Sequence, residues 1–221
     1  MKQQIFTVIE NSPLTKTTYK MVLAGKTCEI KSGGFVNIKL DGLYLRRPIS
    51  VCDYNEDTLT IIYKVVGSGT EKMSAMQPNE KLDVLTGLGN GYNITKSGTT
   101  PLLIGGGVGV PPLYKLCKEL IQKGCHVTVI LGFNTAEEVF YEEEFKALGA
   151  DTYVTTVDGS HGIKGFVTNA VKDGYSYVYT CGPEPMLKAV YNNTTTSGQY
   201  SFEERCIRAD IPHQKNLLYP S

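Results

Sequence analysis

The sequence predicts two folded halves in series: an antiparallel β-barrel, then an α/β domain built on a doubly wound parallel sheet. Three observations carry this prediction. Between Lys2 and Thr86, short apolar runs alternate with polar positions at even spacing, the period-2 signature of half-buried strands. From Pro101 onward, strands alternate with helical segments, the pattern of parallel sheets. At the change stands PLLIGGGVGVPP, residues 101–112, in which an apolar run leads into three glycines, then Val108, Gly109 and Val110, then a proline pair. That order reads as a buried strand, a tight turn and a helix N-terminus.

In chain order, the barrel strands are QIFTVIEN, TYKMVLAG, GFVNIKL, RPISVCDY and LTIIYKVVG, separated by the turn-like NSP, KSGG and YNEDT. GTEKMSAM reads as a helix, and KLDVLTGLG as a closing strand before a Gly, Asn and Ser-rich link at residues 87–100. The second half starts with LLIG and a helix from Pro111 to Lys123. HVTVILGF follows as a strand, AEEVFYEEEFKAL as a helix, DTYVTTV as a strand and GFVTNAVK as a helix. YSYVYTCG is the next strand and PEPMLKAVYN the last helix. The expected division is residues 1–97 for the barrel, 98–200 for the α/β domain and 201–221 for an atypical tail.

Bulk composition narrows the function classes. At 221 residues, each half is long enough to bury a core of its own. The 22 basic and 22 acidic side chains cancel, with no long run of like charge, so neither nucleic acid nor an anionic membrane surface is an expected partner. No apolar run reaches the length of a membrane span and the N-terminus has no signal-peptide core, so the expected location is cytoplasmic. Of the six cysteines, none pairs with another at metal-ligand spacing, and most are expected to be small core residues.

Ligands of doubly wound sheets bind outside the C-terminal strand ends. That rule places Gly105–Gly109, Gly132–Thr135, Asp158–His161 and Cys181–Pro183 along one rim. Gly105, Gly106, Gly107, Val108 and Gly109 suit a phosphate cradle, because glycine lets the backbone approach an anion and a helix N-terminus favours negative charge. An ordinary glycine-rich turn has the same sequence.

Arg47, Pro48, Ile49 and Ser50 form a second constellation. A guanidinium suits a pyrophosphate, a hydroxyl three residues on can reach a polar ring, and proline keeps the strand from pairing there. An edge strand with solvated arginines fits as well. YKVVGSGT, residues 63–70, is a third: Gly67 and Gly69 free the backbone to wrap an anion at a helix start, or Thr70 merely caps that helix. The fourth is Cys181, Gly182 and Pro183, a thiol and a glycine at a strand end, equally readable as a buried cysteine before a helix.

Together, and in this order and spacing, RPIS, YKVVGSGT, IGGGVGVPPLYKL and CGPEPMLKAV resemble the ferredoxin-reductase-like flavoproteins. Within them the chain is most similar to the electron-transfer subunits of type B dihydroorotate dehydrogenase. RRPISV, VVGSGT, GFNTAEEVFYEEEF and KGFVTNAV extend that likeness as far as SFEER, residues 201–205.

The resemblance implies an FAD-binding barrel and an NAD-binding α/β domain. Arg47 would bind the FAD pyrophosphate, with Pro48, Ile49 and Ser50 beside it and Ser50 near the flavin ring. Lys64, Val65 and Val66 would line the ribityl chain and ring, and Gly69 and Thr70 would hold phosphate oxygens. Gly105–Gly109 would take NAD, and Cys181, Gly182 and Pro183 would sit where hydride passes, with Cys181 and Ser50 as the implied catalytic residues. The implied partner is an FMN-containing dihydroorotate dehydrogenase catalytic subunit in a heterotetramer, within pyrimidine biosynthesis. NAD is preferred to NADP because Phe133 to Val139 contain no basic residue and include Glu137 and Glu138. Sulfhydrogenase gamma subunits and ferredoxin:NADP reductases share most of these motifs, so a reductase subunit for a hydrogenase or ferredoxin is the alternative. A non-catalytic assembly module that has lost the cluster is another.

The chain departs from that family after SFEER. A four-cysteine loop holding a 2Fe-2S cluster is implied there, but this sequence continues CIRADIPHQKNLLYPS with Cys206 alone. Four thiolates are the usual requirement. Asp210 and His213 do not repair the deficit, so no metal site is expected. Either the frame is interrupted near Arg205 or electrons move without a cluster, and the lack of any hydrophobic period in the last residues favours the former. His126 and His161 are expected on the surface or in a turn, and the glutamates of FYEEEF on the wet face of a helix.

Overall fold

The computed structural model describes residues 1–27, 29–195 and 201–206, the last as a backbone strand. Six strands close a barrel: β1 (Lys2–Pro13), β2 (Thr18–Ala24), β3 (Phe35–Lys39), β4 (Arg47–Tyr54), β5 (Thr58–Lys64) and β6 (Lys81–Leu88). Their order around the barrel is β1-β2-β5-β4-β3-β6, with every neighbour antiparallel. Inward positions recur every second residue and meet in one core, in which Phe6, Met21, Leu23, Val36, Ile38 and Ile61 are fully buried. Helix α1 (Ser68–Ser74) leaves the end of β5 and plugs the barrel with Met73.

The second half is a six-stranded parallel sheet of order β10-β9-β8-β7-β11-β12. Its strands are β7 (Leu102–Gly106), β8 (Thr128–Phe133), β9 (Asp151–Thr156), β10 (Ile163–Lys164), β11 (Tyr177–Gly182) and β12 (Ser201–Cys206). Successive residues point to opposite faces. Leu103, Val129, Leu131 and Tyr179 join one core, while Leu102, Ile104, Ile130 and Val178 join another. Helices α2 (Pro111–Gln122) and α3 (Glu142–Ala147) cover the first face, and α4 (Glu184–Thr195) covers the second. The sheet takes in 201–206, residues that the sequence division groups with the tail. The Cys206 side chain, Cys28 and residues 207–221, with Asp210 and His213, lie outside what the structure describes.

Two expected helices take other forms. AEEVFYEEEFKAL splits into a 3-10 turn at Ala136–Glu138, an extended stretch, and the six-residue α3. Between them Phe140 packs edge-on against Phe133 at 5.3 Å, and Tyr141 adopts a left-handed φ of 67° that buries its ring. Burial of those two rings outweighs helix propensity. GFVTNAVK forms only a 3-10 turn, Val167–Ala170, whose Val167 fills the space left by Gly132 on the inner sheet face.

The first sheet face is also where the halves meet. Cys52 of β4 and Ile62 of β5 belong to the same apolar cluster as Val110, Leu113 and Leu116 of the α2 region. Polar contacts frame this seam: Glu119 accepts from the Ser32 hydroxyl at 2.6 Å and Lys115 donates to the Tyr54 carbonyl at 2.8 Å.

Candidate functional site

The first part of the site is a gap in the barrel wall. β4 pairs with β3 from Arg47 onward but with β5 only from Val51, so residues 47–50 present one unpaired edge. Proline has no N–H to offer a ladder, and Pro48 lies in this gap although it still opposes Asn37 on β3. Ile49 packs toward the barrel core opposite Val36, whereas Ser50 opposes the half-exposed Phe35 on the outer face.

Across the gap stands the turn of GSGT. A Cβ built on Gly69 would lie 2.2 Å from Arg47 Nε and 2.8 Å from its Cζ, so the guanidinium rests directly over that glycine. Arg47 also donates to the Leu45 carbonyl. The Thr70 hydroxyl is used within the turn, accepting from Val66 N at 2.9 Å and Gly67 N at 3.2 Å and donating to the Gly67 carbonyl. It closes the loop, leaving its backbone N–H and those of Ser68 and Gly69 at the start of α1. Val66 is 58% exposed beside it.

The second part is the sheet rim. Gly105, Gly106 and Gly109 are pressed against the chain itself. A Cβ on Gly109 would fall 2.1 Å from the Cys181 carbonyl oxygen, one on Gly105 2.9 Å from Val110 Cα, and one on Gly106 2.5 Å from Met186 Sδ. Gly107 differs: it has φ +51° and open space around it. Pro111 and Pro112 occupy the first helical positions of α2, so two N–H groups are missing there. An anion at this rim is therefore left with the backbone of 107–109. Cys181 is 2% exposed, on the sheet face that packs toward the barrel. Gly182 lies against Met186, which also packs on Gly106.

The two parts adjoin. The end of β5 packs beside the turn at Gly107–Gly109. Lys64, the last residue of β5, reaches Glu138 at 3.5 Å, and Lys16 reaches Glu137 at 2.7 Å. Burial pushes the Glu138 carboxyl up, but the Asn134 backbone N–H, the Asn134 amide and Lys64 outweigh it and hold it below its ordinary value. A second network ties the ends of β8 and β9, where the Ser160 hydroxyl accepts from Ala136 N at 2.7 Å and donates to Asp158 at 2.6 Å. The sequence places Asp158–His161 on the rim and Glu137 and Glu138 just past a strand end, but gives no sign of their pairing with Lys16 and Lys64 beyond charge of opposite sign. His161, expected in a turn, pairs with Glu142 at 2.7 Å.

Two surface hollows of about 540 and 530 Å3 lie apart from these motifs, one near Ile5, Lys72 and Met76 and one near Tyr54 and Lys115. Their lining contains no glycine and no strand of the parallel sheet, so the motif residues are the better candidate.

Comparison with known proteins decides the family. Residues 103–192 match the model of the oxidoreductase NAD-binding domain. The dihydroorotate dehydrogenase B (NAD(+)) electron transfer subunit of Geobacillus sp. (strain WCH70) is 45% identical, over 93% of this chain and 84% of that protein. The chain belongs to that family. The subunit of the same name from Fusobacterium nucleatum is 46% identical over 93% of this chain and 85% of its own. The solved structure of an NADH-dependent reduced ferredoxin-NADP oxidoreductase superposes with a TM-score of 0.82 at 28% identity, covering 94% of this chain and 78% of that one. Phthalate dioxygenase reductase shares the fold, with a TM-score of 0.73 at 16% identity over 91% of this chain and 68% of its own. Family and two-part fold are thus as the sequence motifs implied.

Among the described residues, no three His, Cys, Asp or Glu side chains gather where they could hold a metal ion. Cys52, Cys117, Cys125 and Cys181 are not in disulfides, and burial pushes Cys52 and Cys117 up, Cys117 to about 12. Such thiols resist becoming the thiolates that a cluster needs. Nor is any helix among the described residues long and apolar enough to cross a membrane.

Proposed function

We propose that this chain is the FAD-bearing, NAD-linked member of a complex that oxidises dihydroorotate, passing electrons between an FMN-containing catalytic partner and NAD. The complex is a heterotetramer of the cytoplasm and serves pyrimidine biosynthesis. The observation that carries this reading is the Arg47 guanidinium over Gly69 at an unpaired strand edge, with β5 packed against the turn at Gly107–Gly109.

A dinucleotide fits this donor set. Arg47 and the N–H groups of Ser68–Thr70 would hold the FAD pyrophosphate, with Pro48, Ile49, Ser50, Lys64, Val65 and Val66 along the rest of the groove. Gly105–Gly109 and Cys181–Pro183 would receive NAD, with Gly107 and Val108 making the open approach. Bound flavin and nicotinamide supply the hydride chemistry, and the protein supplies placement and charge. Ser50, on the outer face of β4, would fix the flavin edge by hydrogen bonding. Cys181, held by the close approach of Gly109 to its carbonyl, would set the floor on which the nicotinamide stacks. NAD is favoured over NADP by the NAD(+)-linked relatives rather than by Glu137 and Glu138, which have lysines beside them.

The described residues offer no cluster site, so no electron step is assigned to iron and sulfide. Purified protein should be yellow with one FAD per chain, and NADH should bleach it. Protein unable to take up FAD would defeat the proposal. Co-purification with an FMN protein that oxidises dihydroorotate separates this reading from a hydrogenase or ferredoxin reductase, for which the 28%-identical ferredoxin-NADP oxidoreductase is the supporting likeness.

A further inference from the structure

The loop between β3 and β4 carries an aromatic ring that the barrel does not use. Tyr44 is 100% exposed and its neighbour Leu45 67% exposed. The loop is nevertheless anchored on both sides of them. Leu43 packs against the barrel core and its N–H donates to the Leu40 carbonyl at 3.1 Å. Arg46 makes a forked contact with Asp83, with both terminal nitrogens 3.1–3.2 Å from Oδ1. Lys72 of α1 donates to the Asp41 carbonyl at 2.6 Å. A large ring is thus held in water by a loop with little freedom to bury it, at the cost of exposed apolar area.

Its position relates it to the cofactor groove. Leu45, the next residue, gives its carbonyl to the Arg47 guanidinium. With the pyrophosphate at Arg47 and the flavin ring toward Ser50, the flavin occupies the direction in which β4 advances, about 10 Å over three residues. The adenosine must leave the pyrophosphate on the other side, where the chain runs back through Leu45 to Tyr44. An adenine has a flat π-face and no charge, and an exposed phenol ring stacks well on such a base.

We propose that Tyr44 is the adenine platform of the FAD site, so that the chain selects FAD over flavins lacking adenosine. This rests on the reading of Arg47 as the pyrophosphate ligand. Aromatic stacking on a base contributes about tenfold or more in affinity, which alanine substitution removes.

The experiment measures dissociation constants of FAD and FMN for the apoprotein by quenching of flavin fluorescence. Tyr44→Ala should weaken FAD about tenfold and leave FMN unchanged, while Tyr44→Phe should keep FAD affinity within about twofold. Arg47→Ala should weaken both flavins, since both carry a phosphate next to the ribityl chain. If Tyr44→Ala leaves FAD affinity intact, the proposal is overturned and the ring is better read as a protein-docking residue. Equal loss of FAD and FMN in Tyr44→Ala overturns it too, because the ring would then act through the loop. If wild type takes up neither flavin, or Arg47→Ala affects neither, it is the parent reading that fails.

Discussion

Lys118 of helix α2 holds its ammonium 2.7 Å from the Asp53 carboxylate of strand β4, and Lys115, one turn earlier, comes within 3.6 Å of the same group. One barrel carboxylate thus gathers two lysines from the other half of the chain, at side chains only 19–30% exposed. Both lysines also lie over tyrosine rings, Lys115 over Tyr54 at 4.5 Å and Lys118 over Tyr114 at 5.6 Å. This cluster helps hold the seam between the halves together.

Asp53→Asn should therefore lower the unfolding free energy by about 1–2 kcal/mol, since two half-buried ammonium groups lose their counter-charge. Lys16→Ala removes an ion pair whose side chains are 82% and 70% exposed and should leave denaturant midpoints unchanged. Urea titrations of the two variants check the contrast. A larger effect at Lys16 would contradict it.

Gly69→Ala should separate cofactor retention from stability. The three atoms nearest the added methyl all belong to the Arg47 side chain, which can swing away, and alanine is the better helix former by about 1 kcal/mol. Thermal stability should hold or rise while FAD washes out on gel filtration. Full FAD retention would show that the guanidinium is not needed where it rests.

Two glycines of the rim turn should respond in opposite measure. Gly109→Ala drives a methyl into the backbone of Cys181 and Gly182 and should cost about 3 kcal/mol or more, with loss of NADH binding. Gly107→Ala finds open space and bears only the left-handed φ, about 1 kcal/mol. Calorimetric melting curves with NADH titrations distinguish them.

Acid should loosen the rim. For Glu142, as for Glu138, burial pushes the carboxyl up but is outweighed, here by Lys146 and His161, and both groups fall below their ordinary 4.5. A carboxyl held lower in the folded chain contributes stability that is complete above pH 4.5 and fades as pH falls through the folded value. Melting temperature should decline below about pH 4.5, and Glu138→Gln should show a shallower decline from a lower neutral value. An unchanged slope in that variant would remove Glu138 from the account.

How far these features were readable in advance varies with their cause. β4 was legible from Arg47 to Tyr54, because alternation and a proline both have local causes. The other strands and α2 were legible for the same reason, except β10 and β12: the two-residue β10 is too short for a pattern, and β12 falls in the stretch read as tail. The second expected helix was not, since Phe140 and Tyr141 are drawn inward by Phe133 and by partners distant in sequence. The glycines show the limit most clearly. A glycine facing a ligand and one pressed on a neighbouring strand leave the same letter, and only the fold separates Gly107 from Gly105, Gly106 and Gly109. The charge pairs of Lys16 and Lys64 with Glu137 and Glu138 join residues more than 70 positions apart, beyond any local pattern.

The apolar layer shared by Cys52, Ile62, Val110, Leu113 and Leu116 bears on how such chains can be recombined. Neither half has a finished surface of its own on that side, since each supplies the lid of the other. A cut in the linking segment would yield two sticky pieces rather than two cassettes. A graft of either half onto a foreign partner would have to bring along a matching seam.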